Sequence, residues 1–380
     1  MTTAGGRAAS PVSARLPDFP WDRLVGARLT AEAHPEHIVD LSVGTPVDPV
    51  PPLIRAALAE ASDAPGYPAT VGTPQLRDAQ VEWLRRRCRA TGLDRACVLP
   101  SIGSKELVSS LALHLGLGPG DLVVVPELAY PSYEVGARLA GCDVVASDST
   151  LSLGPRRPAL VWVNSPANPT GRVLPVEHLA KMLAWTRERG ALLVSDECYL
   201  ELGPTEPSAR QPVSVLHPDV CAGSPDGVLA LHSLSKRSNL AGYRAGFASG
   251  DRAVLAELLA VRKNLGLMVP GPVQHAALLA LGDDQHVLRQ REAYAARRRS
   301  LRAALEGAGF QVDHSEAGLY LWAGRGEPCA ETVAWFADRG ILVAPGDFYG
   351  PKGARHVRLA LTATDERVVA AVSRLAPVPG

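Results

Sequence analysis

The sequence predicts an α/β protein: a large domain on a mainly parallel sheet wrapped by helices, followed by a smaller α+β domain. Three observations lead there. Between about residues 94 and 250, short apolar runs alternate with longer helical patterns, the βα alternation of a parallel sheet. Those runs are rich in Val and Leu with no in-and-out alternation, as strands buried on both faces require. Past residue 251 the pattern changes to long Ala-, Leu- and Arg-rich helical stretches with a few short β-like runs. A chain of 380 residues is also long for one simple core and suits two.

Taken in order, residues 1–17 are rich in Ala, Gly, Ser and Pro and read as a flexible lead-in. The aromatic segment Phe19-Pro20-Trp21 precedes a short helical pattern that runs through Leu29. Strands are expected at 96–99, 122–125, 144–146, 160–163, 191–195, 228–231 and 245–248. Helices are expected between them at 105–115, 133–140 and 178–188. Further on come helices at 252–264, 285–307 and 331–339, with β runs at 318–323 and 356–361. The expected division is an N-terminal segment, 1–42, that joins the small domain, a large domain, 43–270, and the small domain, 271–380. Ligands of open α/β sheets bind beyond the carboxyl ends of the strands, so polar residues there are the candidates for function.

Composition narrows the partners. The 39 basic and 39 acidic residues balance, so no field exists to gather nucleic acid or an acidic membrane surface. The cysteines at 88, 97, 142, 198, 221 and 329 contain no C-x-x-C pair, which argues against a disulfide framework and against a metal site. The first residues lack the continuous apolar core of a signal peptide, and no run of about 18 apolar residues occurs. A cytoplasmic protein is expected.

Only five of the 39 basic residues are lysines, which limits the candidates for amine chemistry. Lys181 and Lys352 read as solvated, and Lys263 as a cation near a helix end. Lys236 differs: it lies in Ser233-Leu234-Ser235-Lys236-Arg237 just past an apolar strand, with Arg244 nearby. Desolvation and neighbouring cations favour the neutral amine that a Schiff base requires. Asp196 follows the strand pattern 191–195, so it is expected at a buried strand end, where a carboxylate needs a cationic or hydrogen-bonding partner. Asn168-Pro169-Thr170-Gly171 is a rigid turn able to fix an amide, and Asn168–Pro169 is expected to be cis. Gly103-Ser104-Lys105 joins a strand to a helix, where free N–H groups and a cation suit a phosphate.

Together these motifs resemble the fold type I, class I/II aminotransferases, which depend on pyridoxal 5'-phosphate. The matching stretches are Asn168-Pro169-Thr170-Gly171, Asp196-Glu197-Cys198-Tyr199, Ser233-Leu234-Ser235-Lys236, Arg244, Tyr67 within Gly66-Tyr67-Pro68, and Arg358. They run in the family's order from residue 44 to residue 358. The resemblance implies the family's seven-stranded, mainly parallel sheet. It also implies roles: Lys236 forms the Schiff base and shuttles the α-proton, and Asp196 pairs with the pyridine nitrogen. Asn168 and Tyr199 bind the phenolic oxygen, and Tyr130 stacks on the ring. Gly103, Ser104, Lys105, Ser233 and Arg244 hold the phosphate. Arg358, helped by Gly44 and Asn168, grips the substrate carboxylate. Tyr67 reaches the phosphate of the other subunit, which implies a homodimer with shared active sites. Cys198 reads as a small apolar filler rather than a nucleophile.

Within the family, Leu16-Pro17-Asp18-Phe19-Pro20-Trp21-Asp22 and Gly103-Ser104-Lys105-Glu106 resemble the N-succinyldiaminopimelate aminotransferases of lysine biosynthesis. That implies glutamate as amino donor and a succinylated oxo acid as acceptor, hence a second anion subsite. Arg28, Arg237 and Lys263 are its candidates, with the Gly/Pro-rich stretch 266–272 as an adaptable wall. The alternatives are another amino-acid transaminase or a β-eliminating C–S lyase. A non-enzyme regulator would need a DNA-binding module, for which residues 1–40 are too short and too Pro-rich.

Overall fold

The structure, a computed structural model, describes residues 16–17, 19–206 and 208–376. The expected lead-in, residues 1–17, falls almost wholly outside the described residues.

The strands, in chain order, are β1 (Val39–Asp40), β2 (Val98–Ile102), β3 (Leu122–Val125), β4 (Asp143–Ala146) and β5 (Leu160–Asn164). They continue with β6 (Leu192–Asp196), β7 (Val228–Ser233), β8 (Ala245–Gly250), β9 (Gln311–Asp313) and β10 (Tyr320–Gly324). The last are β11 (Ile341–Leu342), β12 (Ala344–Pro345) and β13 (Val357–Ala360). Seven of them form the large sheet in the order β2-β8-β7-β6-β5-β3-β4. Every neighbour pair is parallel except those of β8, which runs against both β2 and β7. Its central strands β5 and β7 are buried along their whole length, which explains the unbroken apolar runs.

Each face of the sheet has its own core. On one, Trp83 of helix Pro74–Cys88 packs edge-on against His232 and Phe247, with Leu193, Ala276 and Leu281 nearby. On the other, Leu107, Leu111, Tyr133 and Leu258 cover Val123, Trp162 and Leu229. Helix Gly271–Gly282 begins just past residue 270, the expected domain boundary, yet its Ala276, Ala277 and Ala280 belong to the first of these cores. Four helices of nine residues or more are absent from the sequence reading: Pro52–Glu60, Pro74–Cys88, Gly271–Gly282 and Asp365–Leu375. The first three carry proline at their first or second position, where the missing N–H costs nothing.

The smaller layer is an antiparallel sheet, β12-β13-β10-β9, backed by helices Gln285–Gly307, Cys329–Ala337 and Asp365–Leu375. The N-terminal segment enters it through β1, which pairs with β11 in parallel, Val39 opposite Ile341. Arg297 of the long helix forms a fork with Asp48 at 2.6 and 2.8 Å, which ties the segment after β1 to this layer. Among the described residues no helix is long and apolar enough to cross a membrane.

The start of helix Ser104–His114 is fixed from behind. Fully buried Arg262 donates to both carboxylate oxygens of Glu106, at 2.8 and 3.0 Å. Removing Glu106 leaves the desolvated Arg262 charge alone, so Glu106→Ala should lower stability by about 3–5 kcal/mol in urea unfolding. Loss below 1 kcal/mol would mean that this pair does not anchor the helix.

Candidate active site

Strands β5, β6 and β7 lie side by side and end at Asn164, Asp196 and Ser233, with Asn164 directly opposite Asp196. Three polar side chains therefore emerge together at the carboxyl edge of the sheet. A cavity of about 360 Å³ opens there, between the sheet and the small layer. Gly44, Ser104, Lys105, Tyr130, Asn168, Asp196, Tyr199, Ser233, Lys236, Arg244 and Arg358 all line it. Those residues lie far apart in the sequence, and folding brings them to one wall.

Asp196 is 5% exposed. Its carboxylate accepts from the Tyr133 hydroxyl at 2.7 Å and from the Cys198 backbone N–H at 3.1 Å. Burial pushes this carboxyl above the usual range, and the two hydrogen bonds only partly offset it. Asn164 organises the neighbouring turn: its amide donates to the carbonyls of Pro166 and Asp196, and its oxygen accepts from the Asn168 N–H at 2.7 Å. Both Ser165–Pro166 and the expected Asn168–Pro169 bond are cis.

Lys236 sits in the single turn Leu234–Arg237, in which the Ser235 N–H is capped by the Ser233 hydroxyl. Its amine donates to the Gly44 carbonyl. Burial, with Arg358 and Arg244 adding and Cys198 opposing, lowers its pKa from 10.5 to about 8. At the other end of the cavity, Gly103 precedes helix Ser104–His114 with φ 74, a left-handed conformation suited to glycine. The Arg244 guanidinium lies over it: a Cβ at Gly103 would come within 2.3 Å of an Arg244 nitrogen. Free helix N–H groups, Ser104, Ser233, Lys105 and Arg244 thus converge as an anion cradle. The Lys105 ammonium also lies 5.7 Å from the Tyr130 ring.

Arg358, 2% exposed, donates to the Asn168 side-chain oxygen at 2.9 Å and to the Ser42 carbonyl at 2.5 Å. Its guanidinium lies 4.0 Å from the Tyr320 ring centre and 5.0 Å from that of Tyr349. The sequence reading missed several lining residues: Trp21, Val43, Thr45, Tyr133 and Tyr320. Tyr133 lies in the first turn of helix Ser132–Ala140 and takes its role from Asp196, 63 residues away, so it gave no local signal. Tyr320 alternates with Trp322 along a strand and gave no signal beyond core packing.

The expected second anion subsite is not found where the sequence put it. Arg28 pairs with Asp40, Arg237 is buried against Glu201 and the Ala280 carbonyl, and Lys263 is exposed; none lines the cavity, nor does 266–272. Arg237 fails because successive residues point apart: Lys236 faces the cavity and Arg237 the core behind it. Tyr67 is 99% exposed and also lies outside the cavity of its own chain.

The family model "Aminotransferase class I and II" matches residues 36–375. This chain belongs to the class I and II aminotransferases. It is 64% identical, over 97% of its length and 87% of the relative's, to a probable aminotransferase of Mycobacterium tuberculosis. It is 58% identical, over 95% of its length and 99% of the relative's, to the 4-dedimethylamino-4-oxo-anhydrotetracycline transaminase OxyQ of Streptomyces rimosus. Among solved structures, a probable N-succinyldiaminopimelate aminotransferase of Thermus thermophilus superposes with a TM-score of 0.84 at 30% identity, covering 94% of this chain and 99% of that one. The family works with pyridoxal 5'-phosphate. The cavity fits that group: an anion cradle at one end, a buried acid short of a cation in the middle, and a desolvated amine between them.

A lysine whose pKa falls on folding opposes folding while it must be charged. Its contribution therefore improves as pH rises from about 8 towards 10.5. In cofactor-free protein, Lys236→Met should unfold at higher denaturant than the parent at pH 7, and the gap should close by about pH 10.5. A gap independent of pH would show that the amine is not desolvated.

Proposed function

We propose that this chain is the N-succinyl-LL-2,6-diaminopimelate:2-oxoglutarate aminotransferase of lysine biosynthesis, acting in the cytoplasm as a homodimer. The observation that carries the reaction class is one cavity holding a desolvated Lys236, a buried Asp196 and an Arg358 already fixed in orientation. Lys236 and Asp196 are the residues for amine and ring, and Gly103, Ser104, Lys105, Ser233 and Arg244 are those for the phosphate. When bound, the cofactor supplies an electron sink for the charge left by the departing α-proton. Asp196, held by Tyr133, keeps a proton on the ring nitrogen that makes this sink effective. Lys236 takes and returns the α-proton, Asn168 and Tyr199 donate to the phenolic oxygen, and Tyr130 covers the ring. Arg358 receives the α-carboxylate in a two-pronged grip, with Asn168 and Gly44 beside it.

The substrate assignment is supported by the stretches around Trp21 and Gly103 and by the likeness to the Thermus protein. All six cysteines are free, as suits a reducing compartment. A second reading, a bulky ring-ketone acceptor, is favoured by the similarity to OxyQ and by the aromatic wall of Trp21, Tyr130 and Tyr320.

Measuring kcat/KM for succinylated and free diaminopimelate, glutamate, aspartate and a polycyclic ketone separates them. A site that pairs the succinyl carboxylate should lose about 1.5–3 kcal/mol, roughly ten- to a hundredfold, when it is absent. Equal efficiency with and without the tail removes the lysine-pathway assignment.

Tyr67, fully exposed in one chain, supports the dimer, in which it would reach the partner's phosphate site. The apolar side chains Phe19, Val25, Leu29, Val47 and Leu53 are exposed as well. Mixing Tyr67→Phe with Lys236→Ala chains should restore activity above either parent, since each hybrid carries one intact site. No recovery would mean that Tyr67 does not act across the dimer.

A further inference from the structure

Tyr320 touches three parts of the machinery at once, and the catalytic and cofactor roles assigned above leave its hydroxyl out. Its hydroxyl lies 3.0 Å from that of Tyr199, and its ring carries the Arg358 guanidinium at 4.0 Å. It also crowds Gly44, whose carbonyl holds the Lys236 amine: a Cβ on Gly44 would sit 2.1 Å from the Tyr320 oxygen. Gly44 is thus the residue whose lack of a side chain admits this hydroxyl. Strand β10 fixes the position, paired on one side with β13, Tyr320 opposite Ala360.

We propose that Tyr320 is a positioning residue: its hydroxyl donates to the Tyr199 oxygen, directs the Tyr199 proton at the cofactor's phenolic oxygen, and so sets the proton affinity of the Lys236 nitrogen. The inference rests on the assignment of Tyr199 to that oxygen. The direction of the bond follows from proton counting. Each phenol has one proton, and burial pushes both above the ordinary tyrosine value, so both stay protonated. The Tyr199 proton is committed to the cofactor, and the contact between the hydroxyls is then filled by the Tyr320 proton. A phenol that accepts a hydrogen bond becomes a stronger donor, because bonds in a chain polarise one another. Stronger donation draws charge on the phenolic oxygen away from the proton it shares with the lysine nitrogen, and that proton is lost at lower pH.

The readout is the pH midpoint of the cofactor's visible absorption in the holoenzyme, together with KM for glutamate. Tyr320→Phe keeps the ring and removes only the hydroxyl; the midpoint should rise by about 0.5 pH unit, with KM within about twofold. Tyr320→Leu also removes the ring under Arg358 and should raise KM several-fold. In a Tyr199→Phe background, adding Tyr320→Phe should move the midpoint no further. Thermal unfolding of each holoenzyme verifies that the variants are folded. An unchanged midpoint in Tyr320→Phe, where Tyr199→Phe does shift it, overturns the proposal and leaves the Tyr199 assignment standing. No shift in Tyr199→Phe overturns both. An equal shift from Tyr320→Phe with or without Tyr199 shows that the hydroxyl acts directly, and the proposal fails.

Discussion

A carboxylate held at the end of a central parallel strand, with no cation among the described residues paired to it, is the constraint around which the site is built. Asp196 ends β6, which is flanked on both sides by parallel strands, so the surrounding sheet excludes water from it. A neutral hydroxyl and a backbone N–H are its hydrogen-bond donors. They ease the cost of burial without supplying the positive charge that an ionised carboxylate in such a place favours. The protonated pyridine nitrogen of the proposed role would supply it. Tyr133 is itself pinned, its ring stacked 4.7 Å from that of Trp162, so the acid is aimed by the rigid core rather than by a loop.

Behind this acid lies a second polar layer, and its charges are arranged not to compete. Residues alternate faces along a strand, so Glu197 points away from the cavity beside Asp196. Burial raises the Glu197 pKa to about 7, and its oxygen accepts from the Val215 N–H at 2.8 Å. Burial also lowers the neighbouring His232 to about 3, which keeps that ring neutral, joined to the Ser249 hydroxyl at 2.8 Å. Arg237 is matched by Glu201. The layer therefore presents little unbalanced charge beneath the site, and the Lys236 amine is lowered first by burial, with smaller help from Arg358 and Arg244 in front of it and opposition from Cys198.

How much of this was legible in the sequence follows from how local each constraint is. Strand ends, the capped turn at Lys236 and the glycine before Ser104 are fixed by a few consecutive residues, and they were readable. The central strands were readable too, since burial on both faces leaves an unbroken apolar run. Helix Pro74–Cys88 was not, because its Arg85-Arg86-Arg87 run blurs the apolar stripe that Trp83 and Leu84 define. Gly271–Gly282 has apolar residues on nearly every side, so periodicity offers no edge to read. Asn164, Tyr133 and Tyr320 take their meaning from partners 32, 63 and 121 residues away, which no local pattern reveals.

The same distinction separates chemistry from selection in the cavity. Asp196 and Ser233 sit at strand ends, Lys236 in a capped turn, and Arg358 within β13. These positions are rigid, and the groups proposed for them belong to the cofactor or to every amino acid. The remaining wall is different. Trp21 sits in the short turn Pro20–Leu24, and Val43 and Thr45 follow β1; both segments are partly exposed and join the small layer. Trp21 is braced by Phe19 and Phe348 rather than by a sheet. Contacts made by Trp21 can change without disturbing the strand ends, because it shares no hydrogen-bonded ladder with them. Val43 and Thr45 flank Gly44, whose carbonyl holds Lys236, so only their side chains are free to vary. Discrimination between a long acyl tail and a flat ring system therefore falls to these segments. The lysine, the acid and the carboxylate grip stay fixed whichever substrate is taken.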